Sequence, residues 1–353
     1  MRKLLAAGYF GCGNLGDDAI LLGFIEGAAP LGHDVIALSG SPEETHRNYG
    51  ITSYARREKN AIRHALSECD ALVFPGGSVF QDSSSAWSPI YYWTLVKEAK
   101  KLGKPVLMLG QGVGPLTTPV GKSFARRAFM AADGIAVRDP ASSKALLELG
   151  VKRPVTVAAD MAWLLPPANS QQDSDQFGVA GMKTIGISAR PHGKGEDTAK
   201  LIAAICRKLY DNGYVPTLVE MDQKFDFGMI QQVEKVYGGK IPSLRKVTTP
   251  MDMQRRLARM DGLIAMRLHA GILAATVNMP SVMLSYDPKV LAFANEVGLP
   301  SLAMNNLTAD RVFDSFVTTM QKKAELEAQL AKRKEALIAK AKQNFEVLQQ
   351  TLR

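Results

Sequence analysis

The residues best suited to chemistry lie in the segment GLIAMRLHAG, at 262–271. Its apolar run predicts a strand that ends at Met266, so Arg267 stands at the carboxyl end of that strand and a helix begins near Leu268. Open α/β sheets bind ligands at that edge, where a helix N-terminus offers backbone amides to an anion. A planar guanidinium suits phosphate or carboxylate, and His269 lies in the first helical turn. The segment therefore predicts an anion site with a proton donor.

Three further cationic side chains follow predicted strands. Arg190 closes the strand in TIGISARPHG and Arg138 closes the strand in GIAVRD, so we expect both at the carboxyl edge of a sheet. Lys289 follows the strand SVMLSY, and a solvated lysine is the alternative interpretation there. Convergent arginines are the expected means of holding a ligand that carries two anionic groups.

A glycine-rich loop, GCGNLG at 11–16, lies between the first predicted strand and the first helix. The spacing matches a dinucleotide fingerprint, but Asp17 and Asp18 follow at once and would repel a pyrophosphate. With Asn14, these carboxylates instead offer hydrogen-bonding groups to a ligand rich in hydroxyls, such as a sugar. Asp17 is our candidate general base toward a sugar hydroxyl. The alternative is that Asn14 or Asp17 caps the helix.

A second polar segment, at 76–93, contains further groups of the kind that bind sugars. Gly76 and Gly77 follow a predicted strand and allow close approach of a ligand, and Gln81 and Asp82 offer polar side chains. Four aromatic rings follow, of which we expect two in the core: Trp87, Tyr91, Tyr92 and Trp93.

Short apolar runs that alternate with helical patterns must position these residues. Candidate strands are 3–10, 35–40, 71–76, 105–111, 134–138, 155–159, 184–189, 215–221, 262–266 and 281–286. Near-continuous apolar strands separated by helices indicate parallel sheets covered on both faces. The polar segment 167–182 interrupts the alternation. The pattern therefore predicts an α/β protein with two Rossmann-like, doubly wound domains, 1–166 and 183–307, a linker at 167–182 and a C-terminal helical tail at 308–353.

Composition narrows the functional classes. The net charge is +9, and the first 150 residues hold 16 Lys and Arg against 14 Asp and Glu, so most of the excess lies in the second half. That excess suits an anionic ligand or membrane surface, and no nucleic-acid motif is present. Three widely spaced cysteines without a CxxC or Cys/His pattern predict no metal site. The first apolar run is short for a secretory signal, which predicts a cytoplasmic protein.

The tail is the candidate membrane contact. The basic residues of its terminal helix that would make this contact are Lys332, Arg333, Lys334, Lys340 and Lys342. Weak peripheral binding to the inner face of the cell membrane is one interpretation of this charge, and an amphipathic helix packed on the body is the other.

Several motifs together resemble the polysaccharide pyruvyltransferase family, and most of all its bacterial cell-wall members. The opening GYFGCGNLGDDAILLG carries the first part of this resemblance, and the other blocks follow in the family's order over nearly the whole chain. They are FPGGSVFQD at 74–82, GQGVGPL at 110–116, VRDPAS at 137–142, ISARP at 187–191 and MRLHAGILA at 266–274.

The resemblance implies a GT-B-like arrangement of the two domains and a phosphoenolpyruvate donor, with no cofactor. The donor would bind the second domain and its surroundings through Arg190, Arg267, Leu268, His269, Arg138 and Lys289. The acceptor would bind the first domain through Asn14, Asp17, Asp18, Gly76, Gly77, Gln81 and Asp82. Forming a ketal from an enol phosphate needs an acid, for which we take His269, a base, for which we take Asp17, and an anion clamp, for which we take Arg267.

The resemblance also suggests an acceptor, N-acetylmannosamine in a lipid-diphosphate-linked precursor of a secondary cell-wall polymer. The basic stripe Arg56, Arg57, Lys59, Arg63 and His64 would suit such a diphosphate, and a solvated face is the alternative. A GT-B glycosyltransferase with a nucleotide-sugar donor is the alternative function, with Glu220 or Asp222 holding the ribose. A sugar-binding protein without catalysis is a third hypothesis.

Overall fold

The computed structural model describes residues 1–83, 85–167, 181–193 and 195–353. Most of the predicted linker, 167–182, lies outside the described residues. The chain divides into two compact units. The first unit comprises Met1–Cys12, Asp17–Leu165 and Ala336–Arg353, and the second comprises Gly13–Gly16 and Pro166–Glu335.

The first unit contains one parallel sheet. Its strands are β1 Lys3–Ala7, β2 Asp34–Ser39, β3 Ser53–Ala55, β4 Ala71–Phe74, β5 Gly77–Phe80, β6 Val106–Val113, β7 Gly134–Val137 and β8 Thr156–Val157. They run in the order β3-β2-β1-β4-β6-β7-β8, with β5 also paired to β6. All of these pairs are parallel.

Helices cover both faces of this sheet. They are α1 Leu15–Ala28, α2 Pro42–Tyr49, α3 Lys59–Glu68, α4 Ser88–Lys101, α5 Pro119–Ala131 and α6 Pro140–Glu148. Short 3-10 turns occupy Ala29–Leu31 and Met161–Leu164. Successive strand residues point to opposite faces, so Leu5 lies in one apolar cluster while Leu4 lies in the other. Both faces are therefore buried, which explains why these strands are apolar without alternation.

The second unit has a parallel sheet of the same kind. Its strands are β9 Lys183–Ser188, β10 Tyr214–Val219, β11 Ser243–Leu244, β12 Gly262–Ala265, β13 Ser281–Ser285 and β14 Ser301–Ala303. Their order is β11-β10-β9-β12-β13-β14. The later helices are α7 Gly195–Asp211, α8 Asp226–Tyr237, α9 Pro250–Leu257, α10 Leu268–Thr276, α11 Pro288–Val297, α12 Ala309–Gln321 and α13 Lys323–Thr351. These two doubly wound sheets and the long terminal helix confirm the predicted fold class.

Local sequence signals set several helix starts. Four helices begin with a capping side chain that accepts a backbone N–H, followed by proline at the first helical position. These pairs are Thr118–Pro119, Asp139–Pro140, Thr249–Pro250 and Asp287–Pro288.

The terminal helix α13 contributes to both units. From Ala336 onward it belongs to the first unit, where Phe345 and Leu348 are buried in the core against α1 and the sheet. In the second unit, Arg333 donates to the carbonyl of Glu296, and Lys334 donates to the carbonyl of Thr276 at 3.2 Å. Two of the five basic residues considered for membrane contact therefore bind the C-terminal carbonyls of α11 and α10, where cations are favoured.

Candidate functional site

The strand order of the second unit reverses between β9 and β12, and the carboxyl ends of these two strands form the candidate site. Doubly wound sheets bind ligands at such a switch point. Arg190 lies two residues beyond β9, and Arg267 lies two residues beyond β12, immediately before α10. The fold thus brings to one edge two arginines that are 77 positions apart in the sequence.

Arg267 is held by two buried carboxylates that the sequence did not link to it. Its Nε donates to Oδ1 of Asp226 at 3.1 Å, its Nη2 donates to the same oxygen, and Nη2 lies 3.6 Å from Oδ2 of Asp222. Burial by itself lowers the pKa of Arg267, but Asp226 more than offsets this and raises it above its ordinary value. Nε and Nη2 of Arg267 therefore already donate to Asp226, and the predicted binding of an anion by this guanidinium stays a prediction.

Asp226 is placed by the first turn of α8. Its Oδ2 accepts the backbone N–H groups of Met221 and Asp222, each at 3.1 Å, while Oδ1 faces Arg267. The carboxylate therefore fixes the arginine relative to the end of β10. In the segment EMDQKFD, we interpreted Glu220 or Asp222 as a possible ribose ligand and did not single out Asp226.

The glycine-rich loop belongs structurally to this second unit. Gly13 accepts the N–H of Gln223 at 2.9 Å, Leu15 donates to the carbonyl of Met221 at 2.9 Å, and Asn14 forms a β-bridge with Asp222. The Asn14 side chain accepts the N–H of Gly16 at 3.0 Å. Asn14 thus caps the start of α1, as the alternative interpretation had it.

His269 lies in the first turn of α10 and packs directly on the glycine-rich loop. A methyl group added to Gly16 would stand 2.5 Å from Nδ1 of the imidazole and 2.6 Å from Cγ. The ring is half-buried. At the same helix end, Arg267 occupies the N-cap position without a side-chain capping bond. The amides of Leu268 and His269 therefore remain suited to an anionic ligand.

Arg190 is positioned by an aromatic residue that follows β13, two strands away from β9 in the sheet. Its Nη1 donates to the hydroxyl of Tyr286 at 2.7 Å, and the guanidinium carbon lies 4.7 Å from the centroid of that ring. His192 also contacts Tyr286, with 5.5 Å between ring centroids. Tyr286 follows β13 and therefore belongs to the same sheet edge. Lys289 lies beyond it in α11, where its Nζ is 3.6 Å from Oδ2 of Asp287.

Arg138 is committed to the interior of the first unit. Nη1 lies 3.0 Å from Oδ2 of Asp160, Nη2 donates to Ser78 at 3.1 Å, and Nε lies 3.4 Å from Oδ2 of Asp139. The side chain is 7% exposed. Two carboxylates therefore pair with Arg138, as two pair with Arg267, and its role in binding the donor stays a prediction.

Asp82 is likewise structural. Its carboxylate accepts the backbone N–H and the hydroxyl of both Thr117 and Thr118, at 2.6–3.0 Å. Burial opposes ionisation, but these four donors outweigh it and lower the pKa of Asp82 to about 2. These hydrogen bonds occupy both carboxylate oxygens, and the role of Asp82 in binding an acceptor stays a prediction. Gln81 is half-buried beside it and accepts the Ser83 hydroxyl at 2.7 Å.

The two aspartates after the glycine-rich loop have different surroundings. Asp18 is 6% exposed, and its Oδ1 accepts the N–H of Gly11 at 2.9 Å. Burial raises the pKa of Asp18 to about 7, against the opposing effect of that hydrogen bond, and Asp17 and Glu44 raise it further. Asp17 is half-buried. The better-placed carboxylate for contacting a ligand is therefore Asp17, while Asp18 holds the Gly11 backbone.

Gly76 and Gly77 have a packing reason for being glycine. Their φ angles are +145° and +80°. A methyl group on Gly76 would stand 3.0 Å from Cγ2 of Ile20, and one on Gly77 would stand 3.1 Å from Oδ1 of Asp17. The turn between β4 and β5 thus approaches α1 closely. We expected Gly76 and Gly77 to allow close approach of a ligand. In the structure they lie close to α1 and to the carboxylate of Asp17.

The acidic residues considered for a nucleotide-sugar donor are engaged by the protein. Glu220 accepts the N–H of Lys246 at 3.0 Å and lies 3.6 Å from Nε of Arg245. Asp222 accepts the N–H groups of Lys224 and Phe225 at 3.1 and 3.3 Å. Both side chains are about 95% buried or more, at 5% and 3% exposure. A ribose ligand needs a carboxylate that a hydroxyl can reach, whereas both of these are buried and accept N–H groups of the protein.

The described residues contain neither a candidate metal site nor a candidate membrane span. Within the described ranges, no group of three or more His, Cys, Asp or Glu side chains is arranged to hold a metal ion. The helices in those same ranges include none that is both long and apolar enough to cross a bilayer.

Comparison with known proteins relates this geometry to a reaction. The family model described as polysaccharide pyruvyl transferase matches residues 14–288. The amylovoran biosynthesis protein AmsJ of Erwinia amylovora is 25% identical over 369 residues, covering 85% of this chain and 87% of its own. The match includes the glycine-rich loop from Asn14 and the whole edge from Arg190 to Arg267.

Solved structures show the same fold at low sequence identity. The UDP-GlcNAc 2-epimerase of Neisseria meningitidis, bound to UDP-GlcNAc, superposes with a TM-score of 0.62 at 12% identity, covering 99% of this chain and 100% of its own. A calicheamicin glycosyltransferase, CalG4, superposes with a TM-score of 0.53 at 12% identity, covering 97% and 95%. The architecture is therefore GT-B-like.

Proposed function

Because this chain belongs to the polysaccharide pyruvyl transferase family, we propose that it transfers pyruvate from phosphoenolpyruvate to two hydroxyls of one sugar, forming a cyclic ketal and releasing phosphate. The observation that carries the proposal is the edge of the second unit, where Arg190, Arg267 and His269 meet at the strand-order switch point. A small molecule with a phosphate and a carboxylate needs cationic and N–H donors to bind, and a proton donor to react. This edge offers two arginines, a histidine and a helix start without a side-chain cap.

The chemistry assigns a role to each group. The methylene carbon of the enol phosphate takes a proton, which generates oxocarbenium character at the neighbouring carbon. One sugar hydroxyl adds to that carbon, and the C–O bond to phosphate breaks. A second hydroxyl of the sugar then adds to the same carbon and closes the ring. The two hydroxyls release two protons. One restores the acid that protonated the methylene carbon, and the other leaves with phosphate. His269 is the proposed acid, and Asp17 is the proposed base toward the sugar.

Arg267 and Arg190 would stabilise the departing phosphate. Charge that grows on the phosphate oxygens in the transition state is stabilised by donors already fixed in place. Asp226 and Tyr286 provide that fixation, since they hold the two guanidinium groups by hydrogen bonds and leave part of each available. The amides of Leu268 and His269 at the start of α10 would add uncharged donors to the same anion. Lys289 is a further candidate at the edge of this anion site.

We propose a sugar of a polysaccharide precursor as the acceptor, bound through the first unit. The family description and the relative named for amylovoran biosynthesis support a polysaccharide product. Lipid-diphosphate-linked N-acetylmannosamine of a cell-wall polymer precursor is the first acceptor to test, with weak and salt-sensitive contact to the inner face of the membrane. Asp17 is the acceptor-side residue whose surroundings best support contact with the sugar, and Asn14 and Gln81 are further candidates.

The test is direct. The protein is incubated with phosphoenolpyruvate and a panel of aryl glycosides, and the products are analysed by mass spectrometry. We expect one sugar to gain the mass of pyruvate less water, with release of one phosphate per ketal. Parallel reactions with UDP-sugars address the glycosyltransferase alternative. Glycosyl transfer from a UDP-sugar, without any ketal from phosphoenolpyruvate, would overturn the proposal.

A further inference from the structure

The first unit contains a buried arginine whose surroundings do not neutralise it. Arg56 directly follows β3, and its backbone N–H donates to the carbonyl of Ser39 at the end of β2. The residue therefore lies at the carboxyl edge of the first sheet. Its side chain is only 7% exposed, whereas Arg57, Lys59, Arg63 and His64, the rest of the basic stripe, are exposed.

Tyrosines, and not carboxylates, surround the Arg56 guanidinium. Its carbon lies 5.2 Å from the ring centroid of Tyr9 and 5.0 Å from that of Tyr91, and Nη2 donates to the hydroxyl of Tyr92 at 3.1 Å. Burial lowers the pKa of Arg56, but Tyr92, Tyr91 and the thiol of Cys12 raise it above its ordinary value. Burial also raises the pKa of each of these three groups, so at neutral pH they are uncharged and supply no counter-ion. Within the part of the chain that the structure describes, Nε of Arg56 has no hydrogen-bond partner.

This arrangement is costly unless a ligand completes it. Aromatic faces attract a cation, but they do not cancel its charge or satisfy its N–H groups. A buried cation that lacks a counter-ion normally destabilises the fold by several kcal/mol. Arg138, buried to the same degree in the same unit, shows the usual solution, because Asp160 and Asp139 neutralise it. Among the residues that the structure describes, Arg56 forms no ion pair with a carboxylate, and its guanidinium faces aromatic rings instead.

We propose that Arg56 binds the phosphate or diphosphate that links the acceptor sugar to its carrier. The inference rests on the proposed function and extends it, because a neutral N-acetylated sugar brings no charge to meet this guanidinium. The tyrosine hydroxyls and rings beside it suit the polar edges and apolar faces of a sugar. Arg57 is exposed, and both it and Arg56 act electrostatically on Cys12, so the two arginines lie near the same thiol. Arg57 would therefore bind the second phosphate of a diphosphate.

The experiment compares two acceptors that contain the same sugar. One is an aryl glycoside, and the other joins the sugar to a short alkyl chain through a diphosphate. For Arg56→Met, we expect kcat/KM to fall roughly 10- to 100-fold with the diphosphate acceptor, mostly through KM, as for loss of one hydrogen-bonded charge. With the aryl glycoside the change should stay below about 3-fold. The KM for phosphoenolpyruvate should not change.

Two further variants separate binding from folding. Arg56→Lys keeps the charge and should retain more diphosphate-acceptor activity than Arg56→Met, although Lys lacks the planar fork. Arg153→Met is the matched control, since Arg153 is an exposed arginine of the first unit that donates to the carbonyl of Asp133, before β7 at the opposite edge of the sheet. It should affect neither acceptor. The unliganded Arg56→Met protein should melt no lower than wild type, because a buried unpaired charge has been removed.

Equal losses with the two acceptors, or a higher KM for phosphoenolpyruvate, would overturn the assignment of Arg56 while the reaction itself stands. A lower melting temperature with unchanged acceptor preference would show that the arginine is structural, and would also overturn it. Failure of the wild-type protein to form a ketal with either acceptor would instead reject the proposed function, and the inference with it.

Discussion

The contact between the glycine-rich loop and the imidazole of His269 makes a sharp prediction. Gly16→Ala places a methyl group 2.5 Å from Nδ1, whereas ordinary contacts begin at 3.4 Å. Gly16 lies in the first turn of α1 and its φ angle is not positive, so alanine fits the backbone there. The substitution therefore acts on the His269 side chain, including its Cβ, which the methyl group would approach to 2.8 Å. The imidazole must move by about 0.9 Å, the difference between these two distances.

A displacement of that size is large enough to slow a catalysed reaction substantially. Misplacing a reacting group by about 1 Å costs on the order of 100-fold in rate. We therefore expect kcat for ketal formation to fall by about this factor. The melting temperature should stay close to that of the wild type, because alanine gains up to about 1 kcal/mol over glycine in a helix. That gain offsets part of the steric cost.

The assay is release of phosphate from phosphoenolpyruvate, with the ketal measured by mass spectrometry. Gly228→Ala is the matched control, since Gly228 is an exposed glycine of α8 whose added methyl group would meet nothing within 4 Å. Its activity should equal that of the wild type. A double-mutant cycle then asks whether the loss passes through the imidazole. In a His269→Ala background, Gly16→Ala should cause a much smaller further loss, because the ring atoms are absent and only the contact with Cβ of residue 269, at 2.8 Å, remains.

Two results would refute this reasoning. Wild-type kcat in a folded Gly16→Ala protein would mean that the position of the imidazole does not matter to the reaction. An equal loss in the presence and absence of the His269 ring would mean that the substitution acts through the loop backbone.

Three other substitutions test the remaining groups. Arg267→Lys should lower kcat by roughly 100-fold or more through loss of the planar fork, and normal turnover would contradict an anion-clamping role. Asp82→Asn should lower the free energy of unfolding by roughly 2 kcal/mol in urea titrations, with little effect on KM. Because the pKa of Asp82 in the folded protein is lowered to about 2, this stabilisation is present at neutral pH and fades as the pH falls toward 2. An unchanged urea midpoint would contradict the structural role of Asp82. Asp18 has a raised pKa, so its contribution to stability is present below about pH 4 and is lost as pH rises through about 7; Asp18→Asn should flatten that slope in melting curves, and an identical slope would refute the assignment.

The sequence predicted the sheets and the edge on which the site lies. Each long buried strand was visible as an apolar run, because a strand covered on both faces is apolar at every position. The strands that it missed, such as β3 and β5, have the sequences SYA and GSVF, in which polar residues or glycine interrupt the apolar run. The motif at 262–271 placed Arg267 and His269 at a strand end by counting alone, because parallel strands end at a common edge.

Other features of the site depend on contacts between distant parts of the chain. The sequence shows that Arg138 and Arg267 each follow a strand, and the two are alike in that respect. Only the folded chain shows that Asp160 neutralises Arg138 inside the first unit, while Arg267 keeps part of its guanidinium beside an uncapped helix end. Which carboxylate meets which arginine depends on register and side-chain direction, which the local pattern does not contain.

The sequence by itself therefore determined the kinds of element and the residues that end them, since both follow from local periodicity. Tertiary structure alone decided which of these residues keep unfilled hydrogen-bonding capacity. Asp82, which looked like a sugar ligand, satisfies two threonines, and the basic stripe separates into four exposed side chains and the buried Arg56. It also decided that Gly13–Gly16 pairs with the end of β10, more than 200 residues away. The physical reason is that a charge or a hydrogen bond is satisfied by whatever the fold brings near, and proximity in space is not encoded by spacing along the chain.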